Sequence, residues 1–208
     1  MLSLLLTASV WADTRESVTN MDNQQQDKAN TQAQKQEAFK PVHKSLKPGV
    51  VLEEFVFTEA PFPSCHAATL AEVNGKLICS FFGGTAERNP DVCIWVSHKF
   101  NGKWTPVIKV ADGVQSLELR YPTWNPVLFQ PKQGDLLLFY KVGPSPSEWW
   151  GMLTTSSDGG WNWTEHKRIV NETGKALIGA VKNKPIQLPD GTILSPSSRE
   201  DGGWRAHV

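Results

Sequence analysis

Residues 156–163 read Ser156-Ser157-Asp158-Gly159-Gly160-Trp161-Asn162-Trp163, the pattern S-x-D-x-G-x-x-W, between two strand-like runs. A short acidic-glycine turn at this place closes a β-hairpin, and the tryptophan that follows packs beneath it. Asp-Gly-Gly is also an ordinary hairpin turn, so the weight of the reading comes from recurrence. Ser97 and Trp104 repeat the spacing of Ser156 and Trp163 at an offset of 59 residues. The earlier copy is degenerate, with Lys99 in place of Asp158 and Asn101 in place of Gly160.

The repeat extends beyond the turn. His66–Gly84 (HAATLAEVNGKLICSFFGG), Asn125–Gly143 (NPVLFQPKQGDLLLFYKVG) and Asn183–Glu200 (NKPIQLPDGTILSPSSRE) each read as strand, glycine turn, strand. Their turn glycines, Gly75, Gly134 and Gly191, lie 59 and 57 residues apart. Self-similarity at such a period signals a stacked architecture. Each unit is a four-stranded antiparallel blade, and blades arranged radially make a propeller of ~4–8 units. The expectation is therefore an all-β β-propeller of which about two and a half blades are present, an N-terminal fragment that stops inside the third strand of its third blade. An open β-sandwich with chance similarity between hairpins is the alternative.

The 21 basic residues balance the 21 acidic ones, which gives no reason to expect a nucleic-acid partner. Nine tryptophans against two tyrosines suit hairpin cores and apolar platforms for sugar rings. The apolar run Leu2–Val10 followed by Val10-Trp11-Ala12 reads as a secretory signal peptide over residues 1–12, or as a disordered tail with chance leucines. It is too short to span a membrane. Residues 13–47 are polar and rich in Gln and Asn, a linker, and the partial propeller occupies 48–208. The expected location is secreted or periplasmic. Of the three cysteines, Cys79 and Cys93 fall on neighbouring strands, where a disulfide or two buried thiols are both open. No cysteine or histidine cluster has the spacing of a zinc site, so no metal or cofactor is expected.

Blade geometry sorts the polar residues. The start of strand A, the end of B and the B–C loop share one end of the propeller; the A–B and C–D turns share the other. The 156–163 turn joins C to D, which gives Ser156, Asp158, Gly160 and Trp163 a structural role. The loop end collects His66, Glu87, Arg88 and Asp91 from blade one. Blade two adds Tyr121, Trp124, Asn125, Lys141, Glu148, Trp149 and Trp150, and blade three adds Lys182, Asn183, Lys184, Arg199, Glu200 and Asp201. Binding groups concentrate on loops held by a rigid scaffold. Cations and amides among tryptophans suit an anionic sugar, the cation for its carboxylate and the indole for its apolar face. The plain alternatives are a hydrogen-bonded core histidine, strand-starting Asn-Pro and Lys-Pro pairs, and tryptophans packed between blades.

The hairpin turn with these strands resembles the Asp-box of the sialidase superfamily, in particular the bacterial BNR-repeat, exo-α-sialidase-like group. The resemblance runs from about Pro61 to the end and is carried by Ser64-Cys65-His66-Ala67, FFGGTAERNPDVCIW (81–95), YPTWNPVLFQ (121–130), LLLFYKVGPSPSEWWG (136–151) and VKNKPIQLPDG (181–191). It implies an exported six- or seven-bladed sialidase-like propeller that acts on glycans. It also implies an acid/base carboxyl in the B–C loop of blade one, which makes Asp91 the candidate with Glu87 as second. The family's arginine triad begins in an Arg-Ile-Pro motif, where this chain has Ser64-Cys65-His66; its tyrosine nucleophile, an exception among glycosidases, would lie beyond Val208. A histidine at this mouth resembles propeller enzymes that cleave uronate-linked rhamnose, both hydrolases and lyases.

The implied function is an exo-acting glycoside hydrolase on sialic-acid- or uronate-containing glycans. Asp91, His66 and Glu87 are the catalytic candidates. Arg88, Tyr121, Trp124, Asn125, Lys141, Trp150, Lys182, Asn183 and Arg199 are the substrate-binding ones. A lyase or rhamnosidase centred on His66, and a non-catalytic glycan-binding propeller, are the alternatives. The chain alone is expected to be inactive.

Overall fold

The computed structural model describes residues 50, 52–200 and 202–208. The signal peptide expected over 1–12, the linker over 13–47 and Asp201 lie outside the described residues. The chain divides into two compact units, Met1–Glu54 and Phe55–Val208. The described residues of the first form no regular structure. The second holds thirteen strands and, among the described residues, no helix.

Blade one is β1 (Ser64–Val73), β2 (Lys76–Gly84), β3 (Cys93–Phe100), and an outer edge divided between β4 (Lys103–Trp104) and β5 (Ile108–Ala111), both paired to β3. Blade two is β6 (Thr123–Phe129), β7 (Leu136–Val142), β8 (Trp150–Ser156) and β9 (Lys167–Arg168), hydrogen-bonded in that order. The third unit forms two short antiparallel ladders, β10 (Ile186–Gln187) with β11 (Ile193–Leu194) and β12 (Ser197–Arg199) with β13 (Arg205–His207). All strand pairings are antiparallel and, apart from β5 on β3, follow chain order, which is the blade connectivity of a partial propeller.

Local chemistry fixes these hairpins. Gly75, Gly134 and Gly191 sit at φ of 76°, 97° and 92°, a region open to glycine without steric cost. Asn74-Gly75 joins Val73 to its partner Lys76 with both central residues at positive φ, the backbone that matches the twist of a two-residue hairpin. Asn101-Gly102 does the same between Phe100 and Lys103. This explains the degenerate copy of the 156–163 motif. Blade one closes its C–D hairpin with an Asn-Gly turn, so it has no need of the aspartate.

The middle strands β2 and β7 are buried almost throughout; β2 packs Ile78 and Phe82 toward blade two and Phe81 against Phe57 and Phe62 of the segment ahead of β1. One apolar cluster crosses from blade one (Ile78, Phe82, Ile94, Val96) into blade two (Leu128, Leu136, Leu138, Tyr140). Each fully buried aliphatic side chain there contributes roughly 1.5–3 kcal/mol. Smaller clusters tie Trp124 and Trp149 to Val181, and Val127 and Phe139 to Ala180, docking the lead into blade three.

The cysteines do not pair. Cys79 lies opposite Ser97 and Cys93 opposite Gly83, four residues apart along the same two strands. At about 3.3 Å per residue the two thiols are far beyond disulfide reach, and all three cysteines are free. The alternative of buried thiols holds for both, and burial pushes Cys79 up to about 11.

The 156–163 turn is a closed network. Ser156 Oγ donates to Asp158 Oδ1 at 2.7 Å and accepts from the Gly160 amide at 2.7 Å. Asp158 also accepts from the amides of Trp161 (3.0 Å) and Asn162 (2.9 Å) and from Asn162 Nδ2 (2.7 Å). These bonds, those from Asn162 foremost, hold its carboxyl well below the usual carboxylate range. Gly160, at φ 95°, lies where a Cβ would collide with Ile78 Cδ1 of blade one. Beside it the Trp161 indole stacks on His98 at 4.0 Å and 6° between planes. The turn therefore closes its own hairpin and clamps blade two to blade one.

Candidate functional site

The innermost strand of each full blade bulges at the same place. β1 shifts register between His66 and Thr69, with Ala67 at φ 55°, and β6 shifts between Trp124 and Val127, with Asn125 at φ 39°. Lys182, at φ 61°, occupies the corresponding place ahead of β10. Bulges bend the strand that carries them, and in blade one the bulge follows directly on His66, which still pairs with Phe82.

Opposite His66 the loop 85–91 is built on Asp91. Its Oδ2 accepts from the Thr85 amide and its Oδ1 from Thr85 Oγ1, both at 2.9 Å. Asn89 Nδ2 donates to Thr85 Oγ1 at 2.7 Å, and Arg88 takes φ 78° to complete the turn. The loop presents Glu87 to the histidine, with Oε2 4.0 Å from His66 Nδ1. Their side chains are 70% and 52% exposed, so the pair faces solvent while the Phe82 ring supports the imidazole edge-on at 5.6 Å. Asp91, expected as the acid/base carboxyl, accepts one hydrogen bond at each oxygen, both from Thr85, and so closes the loop. The free carboxylate of the loop is that of Glu87.

Three residues expected to touch substrate are inside the protein. Trp124 is 2% exposed and its indole N–H donates to the Gly143 carbonyl at 2.9 Å. Asn125 is buried in the β6 bulge. Lys141 has no exposed surface, and its Nζ donates to the Ala180 carbonyl at 2.5 Å. Burial lowers the Lys141 ammonium to about 7. Strand position placed all three at the loop end, but their side chains point between blades, so they support the face from beneath.

The remaining candidates are accessible to differing degrees. Trp150 is half-buried, with the Arg168 guanidinium over its ring at 4.7 Å and Tyr121 edge-on at 5.9 Å. Lys182, Asn183 and Arg199 are exposed. Lys184 donates to the Leu70 carbonyl of β1, and Glu148 accepts from Ser145 Oγ at 3.0 Å within its own loop.

Arg120 escaped the sequence reading. Its Nη2 donates to the Asp91 carbonyl at 3.2 Å and lies 2.9 Å from Cys93 Sγ, tying the loop before β6 to the base of the Glu87 loop. The signal was there, a cation just ahead of the apolar Tyr121–Phe129 run. Among the described residues no group of three or more His, Cys, Asp or Glu converges as metal ligands would, and no helix is long and apolar enough to cross a membrane.

Residues 75–208 match the family described as BNR repeat-like domain. No match is found among curated proteins. Two solved structures are similar in fold. A protein of unknown function from Dyadobacter fermentans DSM 18053 is 18% identical, with a TM-score of 0.49 over 66% of this chain and 47% of that one. An alpha-L-arabinofuranosidase from Lactobacillus brevis is 16% identical, with a TM-score of 0.48 over 64% of this chain and 45% of that one. The chain spans about half the length of these structures.

Proposed function

Because the chain belongs to the BNR repeat-like domain family, a carbohydrate-active, sialidase-like superfamily, we propose that it is part of an exported, exo-acting glycoside hydrolase on anionic glycans. The single observation that carries this reading is the solvent-facing His66–Glu87 pair, set on a bulged strand and a carboxylate-braced loop. Export is supported by the leader-like run Leu2–Val10.

In this reading Glu87 faces Nδ1 and orients the ring, which leaves Nε2 for the substrate. An imidazolium there donates its proton to the leaving glycosidic oxygen as water attacks the anomeric carbon, and the proton that this water loses passes to solvent, from which the imidazole is recharged. Arg88 and Lys182 are exposed cations of the same end and supply a partner for the substrate carboxylate. Asp91 and Arg120 are positioning residues, since both hold the loop that carries Glu87.

One observation favours a second reading. With Asp91 occupied, the free acid/base is an imidazole, which also suits removal of the proton α to a uronate carboxyl, the first step of a lyase. The test is incubation of the full-length protein with sialosides and with rhamnose–glucuronate oligosaccharides, with products read by mass spectrometry. Release of an intact terminal sugar, abolished in His66→Ala and largely retained in Asp91→Asn, is the expected result. A uronate product lighter by one water assigns the lyase. Full activity in His66→Ala removes both readings.

A further inference from the structure

Apart from the His66–Glu87 pair, the loop end carries a groove of about 280 Å³ between blade two and the start of blade three. Trp149 and Leu177 give it apolar surface, and Lys175, Arg199 and His207 line it with one carboxylate, Glu200. The positive excess belongs to the groove, since the chain as a whole is neutral. The wall is built: Asn171 Oδ1 accepts from the amides of Thr173 (3.1 Å) and Lys175 (2.8 Å), which fixes the backbone from which the lysine projects. Trp149 is nine-tenths buried, and its indole N–H meets no acceptor among the described residues.

Trp149 also connects the groove to the histidine. Ring contacts run from His66 to Phe82 at 5.6 Å, from Phe82 to Trp124 at 6.4 Å and from Trp124 to Trp149 at 5.9 Å. The exposed dyad and the cationic groove thus lie at opposite ends of one buried aromatic row, three ring-to-ring steps apart on the same end of the fold. The row limits their separation to at most three ring-to-ring steps, which keeps both within reach of one short run of linked sugars.

We propose that the groove is a second sugar subsite, which takes a carboxylate-bearing residue of a glycan whose reacting linkage lies at His66; this rests on the reading of His66 and Glu87 above. Lysine and arginine meet the carboxylate by charge-assisted hydrogen bonds, and Leu177 with the exposed margin of Trp149 offers apolar surface to the ring, the mixed lining common to small-ligand sites. The substrate class is then an anionic oligosaccharide several units long, rather than a lone terminal sugar on any aglycone.

The test uses the full-length protein and rhamnose–glucuronate oligosaccharides of two and of five sugars, with a carboxyl-reduced five-sugar control. The wild type should prefer the five-sugar acid in kcat/KM over both others. Lys175→Ala and the charge reversal Lys175→Glu should lower kcat/KM for that acid roughly tenfold more than for the two-sugar one, the scale of one charged contact, and Lys175→Arg should restore it. Equal losses at both lengths, or no loss, overturn the subsite. If nothing is turned over, calorimetry separates the two claims. Five-sugar acid binding that weakens roughly tenfold in Lys175→Glu keeps the groove and removes the catalytic reading. Binding that is absent, or indifferent to Lys175, removes the groove.

Discussion

The two ends of this partial propeller use polar residues in opposite ways. At the turn end Asp158 accepts from two amides and two side chains, Gly160 has no room for a Cβ, and His98 and Trp161 close the junction face to face. At the loop end Asp91 accepts from Thr85 alone, by its amide and its hydroxyl, and the loop it braces leaves Glu87 and His66 open to solvent. Charge alone does not mark a functional residue. The Asp158 carboxylate, filled by its four donors, is scaffold, and the Glu87 carboxylate, held out by a braced loop, is available for chemistry.

The contrast is broken most forcefully at the dyad. His66→Ala should reduce turnover by about 10²–10⁴-fold, the usual share of a positioned acid or base, while the melting temperature stays put because the side chain is exposed. An equal fall in stability would show the histidine to be scaffold as well. At the other end Gly160→Ala should reverse the pattern. It forces a Cβ into Ile78 at a positive φ and should cost about 2–4 kcal/mol of stability, with activity per folded molecule unchanged. Denaturant melts checked against active-site titration decide between the two.

Lys141 sharpens the comparison, being a polar group of the loop end that behaves as scaffold. Its ammonium is lowered to about 7 by burial, against about 10.4 in an unfolded chain. Between those values the unfolded state holds a proton that the folded state lacks, so Lys141 makes stability rise with pH, by at most ~1.4 kcal/mol per unit. Below about 7 both states are charged and the burial cost is fully present. Cys79, raised to about 11, works in the other direction above the ordinary thiol range, so the readout is the difference between wild type and Lys141→Met. The variant should lose the rising component and be no less stable at neutral pH, as replacement of buried charges by apolar groups often is. An unchanged slope would mean that Lys141 is not buried as a free base.

Much of the fold was legible because it is written in short-range chemistry. The turn glycines, the Asn-Gly pairs and the 156–163 clasp act within a few residues, so their spacing reveals blade order and marks which end carries the loops. The faults lie where burial depends on a neighbouring blade. A strand packed on both faces has no alternating pattern, so nothing in Leu136–Val142 marks Lys141 as buried or Trp124 as core. Register decided the cysteines, since one residue of slip along β2 and β3 changes every partner. The His66–Glu87 pairing needed both the β1 bulge and the Asp91-braced loop, two features that a string of residues does not place opposite each other. Arg120 was missed for the same reason, since its partners lie 27 and 29 residues away.

The smallest expected effect distinguishes a brace from a catalyst in one loop. Asp91→Asn keeps an oxygen for the Thr85 amide and exchanges the other acceptor for a donor, which the Thr85 hydroxyl can meet by turning round. The loop should keep its path, Glu87 should stay near His66, and turnover should fall by about tenfold or less. Asp91→Ala removes both acceptors and should lower activity further by letting Glu87 drift, through kcat more than through KM, because substrate contacts are untouched. If Asp91 were itself the proton donor, asparagine would be as damaging as alanine and the alkaline limb of the pH–rate profile, where the donor loses its proton, would vanish in both. An alkaline limb retained in Asp91→Asn and moved to lower pH in Glu87→Gln, where the imidazolium loses its neighbouring anion, would assign that limb to the His66–Glu87 pair and leave Asp91 as the carboxylate that holds the loop in place.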